Sequence, residues 1–281
     1  MPGVQIAELQ SRKRQGGKLT MLTAYDYPMA KLVDESGVDF VLVGDSLGMV
    51  VLGYDTPAPV TMDEMIHHAK AARRGVARAW LVGDLPLLAF GDTPETGLRS
   101  ARRFITEAGC DAVKLEWKPD MEKTAAAIAS SGIPVIGHVG LTPQTASPEG
   151  GFKVQGKEAA AAGKILEQAE LLEQAGCCAM VLECVPDLLA QEITRRLRIP
   201  TIGIGSGPHC DGQVLVTYDI VGLFQRFRPR FVKRYADVAG TVRQAAAAFV
   251  ADVQAGRYPG KEHTFAMAPE EFARMREARG A

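Results

Sequence analysis

Short apolar runs that each stop at a polar or ionisable residue recur along this chain of 281 residues. Phe40-Val41-Leu42-Val43-Gly44 stops at Asp45-Ser46, Trp80-Leu81-Val82-Gly83 at Asp84, and Ala112-Val113-Lys114-Leu115 at Glu116. Pro134-Val135-Ile136-Gly137 stops at His138 and Met180-Val181-Leu182 at Glu183. Runs of this length read as buried strands of a parallel sheet. Helix-length segments separate them: Tyr27 to Ser36, one from Thr61 with Glu64 completing a capping box, Thr93-Pro94 to Ala108, Met121 to Ser131, Glu158 to Ala175 and Pro186 to Leu197. A phrase of helix, Gly, short link and strand recurs as Ser36-Gly37-Val38-Asp39, Ala108-Gly109-Cys110-Asp111 and Ala175-Gly176-Cys177-Cys178. Each glycine suits the left-handed position that ends a helix. Strands alternating with helices predict an α/β fold with a parallel sheet.

Counting strands separates a barrel from an open sheet. The predicted strands are 19–24, 40–44, 79–83, 112–116, 134–139, 179–183, 200–205 and 230–234, the last being short and charged. Eight strands predict a (β/α)8 TIM barrel, and the length leaves room for extensions beyond a barrel of about 250 residues. Polar strand ends spread over five strands point the same way, because an open sheet concentrates its site at one switch point. The expected organisation is a barrel catalytic domain over 1–265 with a short N-terminal helix, then a C-terminal helical extension over 266–281. Helices are expected at Val238 to Gln254 and Pro269 to Arg279, the second with Phe272 and Met275 able to dock.

Composition narrows the partners. Lys and Arg number 32 against 33 Asp and Glu, a net charge of −1, which offers no electrostatic case for nucleic acid or an anionic membrane. No apolar stretch approaches the roughly 20 residues of a membrane span. Arg12-Lys13-Arg14 is followed by no apolar segment, so a secretory signal is not expected. Five scattered cysteines without a C-x-x-C pair argue against a disulfide framework or a zinc ribbon. They read as buried thiols of a cytoplasmic protein. Cys184 follows Glu183 and could lie near the site, though strand alternation points it to the opposite face.

Strand ends in a parallel α/β fold carry the ligand site. Asp45, Asp84 and Glu116 there suit a hard divalent cation, since Mg²⁺ takes one or two carboxylates plus water and substrate oxygens. Any one of them is also open to reading as a helix cap. Lys114 and Glu116 are two apart and share a strand face, so Lys114 either pairs with Glu116 or is held for an anionic substrate. His138 is a core histidine or a ligand contact, between glycines that permit close approach to the backbone. Glu183 at an apolar strand end should have a raised pKa, which suits a general base; the alternative is a structural Glu paired with a cation. Gly203-Ile204-Gly205-Ser206-Gly207 has the look of a phosphate-cradling loop, or of backbone brought close to another ligand.

Several phrases together resemble the ketopantoate hydroxymethyltransferase family: Thr23-Ala24-Tyr25-Asp26-Tyr27, Val43-Gly44-Asp45-Ser46-Leu47-Gly48-Met49, Pro59-Val60-Thr61 and Gly137-His138-Val139-Gly140-Leu141-Thr142-Pro143-Gln144. Gly150-Gly151-Phe152-Lys153-Val154-Gln155-Gly156, Leu182-Glu183-Cys184-Val185-Pro186, Ile202-Gly203-Ile204-Gly205, Cys210-Asp211-Gly212-Gln213 and Tyr258-Pro259-Gly260 with Glu262-His263 continue it. The resemblance covers roughly residues 5 to 265. Trp117-Lys118 departs from it, where a glycine-rich stretch is expected.

The resemblance implies a (β/α)8 barrel that transfers a hydroxymethyl group from 5,10-methylenetetrahydrofolate to 3-methyl-2-oxobutanoate, giving ketopantoate at the first step towards pantothenate. It implies Mg²⁺ at Asp45, Asp84 and Glu116, keto-acid contacts from Asp45, Ser46, Asp84 and Lys114, Glu183 as proton acceptor, and a cytoplasmic homodecamer. The chemistry agrees: a divalent cation bound by both oxygens of an α-keto acid stabilises the enolate formed when a base removes the adjacent proton. His138 has a hydrogen-bonding role in this scheme. The competing enzyme class is a phosphoenolpyruvate-mutase or isocitrate-lyase type barrel, which also binds α-oxo acids with Mg²⁺ but carries a catalytic-loop Cys motif or a different acid set. A non-catalytic keto-acid binder is the other alternative, and the intact set of acids and Lys114 argues against it.

Overall fold

A computed structural model describes residues 6–89, 93–145 and 153–280. Residues 150–152, part of one phrase quoted above, lie outside them. Eight parallel strands close into a barrel: β1 Leu19–Thr23, β2 Phe40–Val43, β3 Trp80–Asp84, β4 Ala112–Glu116, β5 Val135–Gly140, β6 Ala179–Glu183, β7 Thr201–Ile204 and β8 Gly212–Leu215. β8 pairs with β1 in the register Leu19↔Gly212 to Leu22↔Leu215, which completes the ring.

Alternation along the strands divides the core in two. Leu19 and Met21, Phe40 and Leu42, Trp80 and Val82, Ala179 and Val181, with Ala112, Ile136, Ile202 and Val214, form one apolar cluster. This is the barrel lumen. Leu9, fully buried on helix α1 (Ile6–Arg14), joins that cluster, and Lys13 from the same helix bonds Asp211 just ahead of β8 at 2.8 Å. The intervening strand residues, such as Val41, Leu81, Val113 and Leu182, pack outward with the helices in a second cluster. Two-faced burial is why these strands read as nearly continuous apolar runs.

The helical layer is α2 Tyr27–Glu35, α3 Leu47–Val50, α4 Met62–Arg73, α5 Pro94–Ala108, α6 Met121–Ser130, α7 Ala159–Gln174, α8 Asp187–Arg196 and α9 Thr217–Ile220. The Thr61–Glu64 capping box opens α4 as expected, and Gly37, Gly109 and Gly176 all take positive φ behind their helices.

One strand differs from expectation. Residues 230–234 are not a strand; the eighth strand is Gly212–Leu215. Only residues 205–211 separate it from β7, without a helix, where parallel strands ordinarily need a dozen or more linking residues. The register Ile202↔Gly212 explains how so short a link suffices. β8 begins level with a residue two short of the end of β7, a descent of about 7 Å. Gly205 and Gly207, at φ 65° and 76°, make the turn. Of the glycine-rich stretch, Gly203 and Ile204 end β7, and Gly205 to Gly207 open this crossover.

The chain divides into compact units at Tyr235/Ala236, ahead of residue 265 where the family resemblance ends. The second unit carries α10 Val238–Gln254, capped by Asp237 on the amide of Gly240, and α11 Pro269–Ala278. Val242, Phe249 and Val253 on α10 are exposed. Among the described residues no helix is long and apolar enough to cross a membrane. All five cysteines are buried and unbridged.

Candidate active site

The lumen alternation continues upward from apolar to ionisable. On β3 the inward series is Trp80, Val82, Asp84; on β4 it is Ala112, Lys114, Glu116; on β5 Ile136, His138; on β6 Ala179, Val181, Glu183. Apolar layers fill the lumen below, and the next layer is a floor of charge under the strand C-termini. Asp45 reaches the same floor from beyond the end of β2, with its backbone amide donating to Asp84 Oδ2 at 3.2 Å. Asp45, Ser46, Asp84, Lys114, Glu116, His138 and Glu183 all line one cavity of about 490 Å³. Every site residue anticipated from the sequence is thus brought to one place.

Lys114 is the ammonium at the centre. Its Nζ donates to Asp84 Oδ1 at 2.8 Å and lies 4.0 Å from Glu116 Oε1. Of the two sequence readings, pairing is real, but the close partner is Asp84 on the adjacent strand. Burial opposes the charge on Lys114, yet Asp84, Glu116 and Asp45 outweigh it, so its pKa stands above the ordinary value. Burial raises the carboxyls in turn. Asp45 is pushed up to about 7 by desolvation and then by Asp84, with Lys114 opposing. Glu116 rises well above its usual range for the same first reason. Glu183 rises to about 8, through burial, with Asp45 and Asp84 adding and Lys114 opposing. His138 lies between the two glutamates, Nδ1 3.5 Å from Glu116 Oε1 and Nε2 3.4 Å from Glu183 Oε2. Burial and Lys114 hold its pKa well below the ordinary value, so it is a neutral imidazole.

Two observations bear on a cation. Four carboxyl groups face one ammonium, and the buried Asp45 Oδ2 has no hydrogen-bond partner, nor do the ring nitrogens of His138. Among the described residues no three Asp, Glu, His or Cys side chains close on one point as a finished cage. Asp84 is engaged by Lys114 and by the Asp45 amide, and Glu116 Oε2 accepts from the Gln144 amide at 3.1 Å. A site short of positive charge, with one free carboxylate oxygen and no complete cage, fits a hard divalent cation that completes its shell with water and substrate oxygens.

Residues without an assigned role in the sequence also shape the site. Tyr25, fully buried, shares a hydrogen bond of 2.9 Å with Ser46 Oγ. Gln144, 3% exposed, fixes Glu116 through its amide and anchors its own side chain on the Leu85 carbonyl at 2.9 Å. Both sit in the family-like phrases, but a lone Tyr or Gln gives no periodic signal. Of the two readings for Cys184, proximity to the site holds: it lines the cavity beside Glu183. Its φ of 47° breaks the strand alternation that would have turned it away. Gly140 also serves a different close approach from the one expected. At φ 100°, a Cβ there would stand 2.3 Å from the Glu183 carbonyl oxygen, so it makes room for the β6 backbone.

The sequence profile of the ketopantoate hydroxymethyltransferase family matches residues 3–261. A 3-methyl-2-oxobutanoate hydroxymethyltransferase of Syntrophus aciditrophicus (strain SB) is 51% identical over 262 residues, 93% of this chain and 96% of its own length. One from Moorella thermoacetica (strain ATCC 39073 / JCM 9320) is 52% identical over 262 residues, covering 93% and 97%. Among solved structures, a phosphoenolpyruvate phosphomutase from Streptomyces platensis subsp. rosaceus superposes with a TM-score of 0.62 at 15% identity, covering 99% of this chain and 96% of its own. A phosphonopyruvate hydrolase complexed with oxalate and Mg²⁺ superposes at 0.60 with 13% identity, covering 98% of each chain. At such identities these two share the fold. The close sequence relatives share far more, over nearly the whole length: this chain is an enzyme of the ketopantoate hydroxymethyltransferase family.

Proposed function

We propose that this enzyme transfers a hydroxymethyl group from 5,10-methylenetetrahydrofolate to 3-methyl-2-oxobutanoate, forming ketopantoate, at the cavity over the barrel floor. The observation that carries the reading is the pairing of Lys114 with a buried acid cluster beside Glu183, whose carboxyl burial raises to about 8, towards the range that suits a general base. Close relatives named for hydroxymethyl transfer to this keto acid support that part of the reading.

In this reading Lys114 and Ser46 receive the substrate carboxylate, Tyr25 orients the Ser46 hydroxyl, and Asp45 and Asp84 border the bound acid. Asp45, Asp84 and Glu116 would hold Mg²⁺, a metal present with oxalate in one fold neighbour. Mg²⁺ when bound supplies Lewis-acid polarisation of the keto oxygen, which acidifies the adjacent C–H. Glu183 takes that proton. Neutral His138 has one N–H to donate, and donating it to Glu183 would favour the ionised base. Water adds to the methylene unit of the folate and both C–N bonds break, the nitrogens taking the two water protons, which gives tetrahydrofolate and formaldehyde. The deprotonated carbon then adds to the formaldehyde carbon, and its oxygen takes up the proton held by Glu183 to become the hydroxyl. Catalysis belongs to the unit ending at Tyr235, which holds every residue named. Homo-oligomerisation, a homodecamer by family resemblance, is supported by the exposed apolar stripe on α10. Buried unbridged thiols agree with a cytoplasmic setting.

The direct experiment supplies 3-methyl-2-oxobutanoate, Mg²⁺ and 5,10-methylenetetrahydrofolate and looks for ketopantoate. Formation that requires all three is expected; no product overturns the reading.

A further inference from the structure

The cavity is larger than a short branched keto acid needs. Its volume of about 490 Å³ lies within the roughly 300–1,000 Å³ of sites that take drug-sized ligands. The polar floor described above supplies part of the lining. A second wall comes from the chain after β8 and has a different character, with Asp219, Phe224, Phe227, Arg230 and Phe231 lining it.

Phe224 and Phe227 meet edge to face with ring centroids 5.3 Å apart. The Phe231 ring lies against the β7–β8 crossover, 2.7 Å from where a Cβ on Gly205 would stand. Phe227 and Phe231 are nonetheless 43% and 37% exposed, a partly open aromatic surface. Asp219 is 9% exposed, and among the described residues its carboxylate takes part in no hydrogen bond or ion pair. Arg234 acts on it only at longer range, and burial raises its pKa to about 6, which leaves it ionised near neutral pH. Its oxygens are thus free to accept from a molecule in the cavity that Asp219 lines, and a ligand edge carrying adjacent N–H groups would supply the donors. Arg230 is exposed at the rim without an ion pair among the described residues.

We propose that this wall is the pterin and tail subsite of the reduced folate: Asp219 accepts the N–H donors of the aminopyrimidinone edge, Phe227 and Phe231 flank the ring system, and Arg230 faces the glutamate carboxylates. The proposal rests on the reading above that a reduced folate is the one-carbon donor. A planar heterocycle with a donor edge and an anionic tail matches an aromatic wall with a buried acceptor and a rim cation. The wall and Glu183 border one cavity, so the carrier would lie against the keto acid.

Asp219→Asn keeps the side-chain shape and removes the charge. In the intact Mg²⁺-loaded enzyme, calorimetric Kd for tetrahydrofolate and KM for 5,10-methylenetetrahydrofolate should each rise about tenfold or more. Exchange of the keto acid's C3 proton into heavy water, which needs no folate, should persist. Phe227→Ala, at a partly exposed position, should raise the same two constants several-fold. Unchanged folate constants in both variants overturn the subsite, as does a loss of exchange in step with the loss of folate affinity. If the parent enzyme makes no ketopantoate, the one-carbon reading has failed; if it does and the folate constants stay put, only the subsite has.

Discussion

Asp84 and Lys114 are register partners on adjacent parallel strands, and their side chains meet at 2.8 Å inside the closed barrel. The lateral pairing of β3 with β4 sets this contact, so it exists only once the ring has formed. Among the described residues Lys114 is also the one ammonium lining the cavity with Asp45, Asp84, Glu116 and Glu183. Removing one member of a buried pair leaves the others uncompensated, at a cost of about 3–5 kcal/mol. Lys114→Met should lower stability by that order in urea titrations and abolish keto-acid binding. Parent-like stability would show that the ammonium does not balance the floor.

Glu183→Gln retains the shape of the side chain and removes its proton-accepting capacity. Keto-acid binding should survive while exchange of the C3 proton into heavy water disappears. NMR loss of the C3 proton signal at the parent rate would remove Glu183 from the base role.

The raised carboxyls give stability a pH dependence of definite sign. Asp45 moves from 3.8 to about 7 and Glu183 from 4.5 to about 8 on folding. A raised folded-state pKa means the folded form binds protons that the unfolded form has released. The associated stability is present at low pH and is lost as pH rises through the folded values. Metal-stripped protein should therefore weaken between about pH 4 and 8, by on the order of a few kcal/mol. Mg²⁺ should raise Tm more at pH 8 than at pH 5, because it offsets the ionised carboxylates. A larger Mg²⁺ effect at pH 5 would contradict this.

Gly140→Ala combines a left-handed φ of 100° with a Cβ 2.3 Å from the Glu183 carbonyl oxygen. Backbone strain of this kind costs about 1–3 kcal/mol, and relief requires β6 to shift where it carries the base. Both the urea midpoint and the proton-exchange rate should fall. A variant that loses stability but exchanges at the parent rate would uncouple Gly140 from Glu183.

The sequence by itself determined the alternating architecture, most strand positions and the members of the charged floor. It did so because these are local properties. A strand buried on both faces is apolar throughout, its inward series repeats every second residue, and an ionisable residue at the end of that series has nowhere to point but the mouth. Tertiary structure decided what depends on neighbours distant in sequence. β8 escaped detection because Gly212-Gln213-Val214-Leu215 is a weak strand pattern, made a strand by pairing with β1 and reached by a link that the β7 register allows to be short. Phe231 and Val232 looked like that strand because they are apolar, yet Phe231 packs on the crossover glycine. Lys114 has its close partner on the next strand instead of two residues along its own. Cys184 faces the cavity because its backbone leaves the extended region. Partner choice, register and the second wall of the cavity are consequences of ring closure, and ring closure sets which distant residues become neighbours.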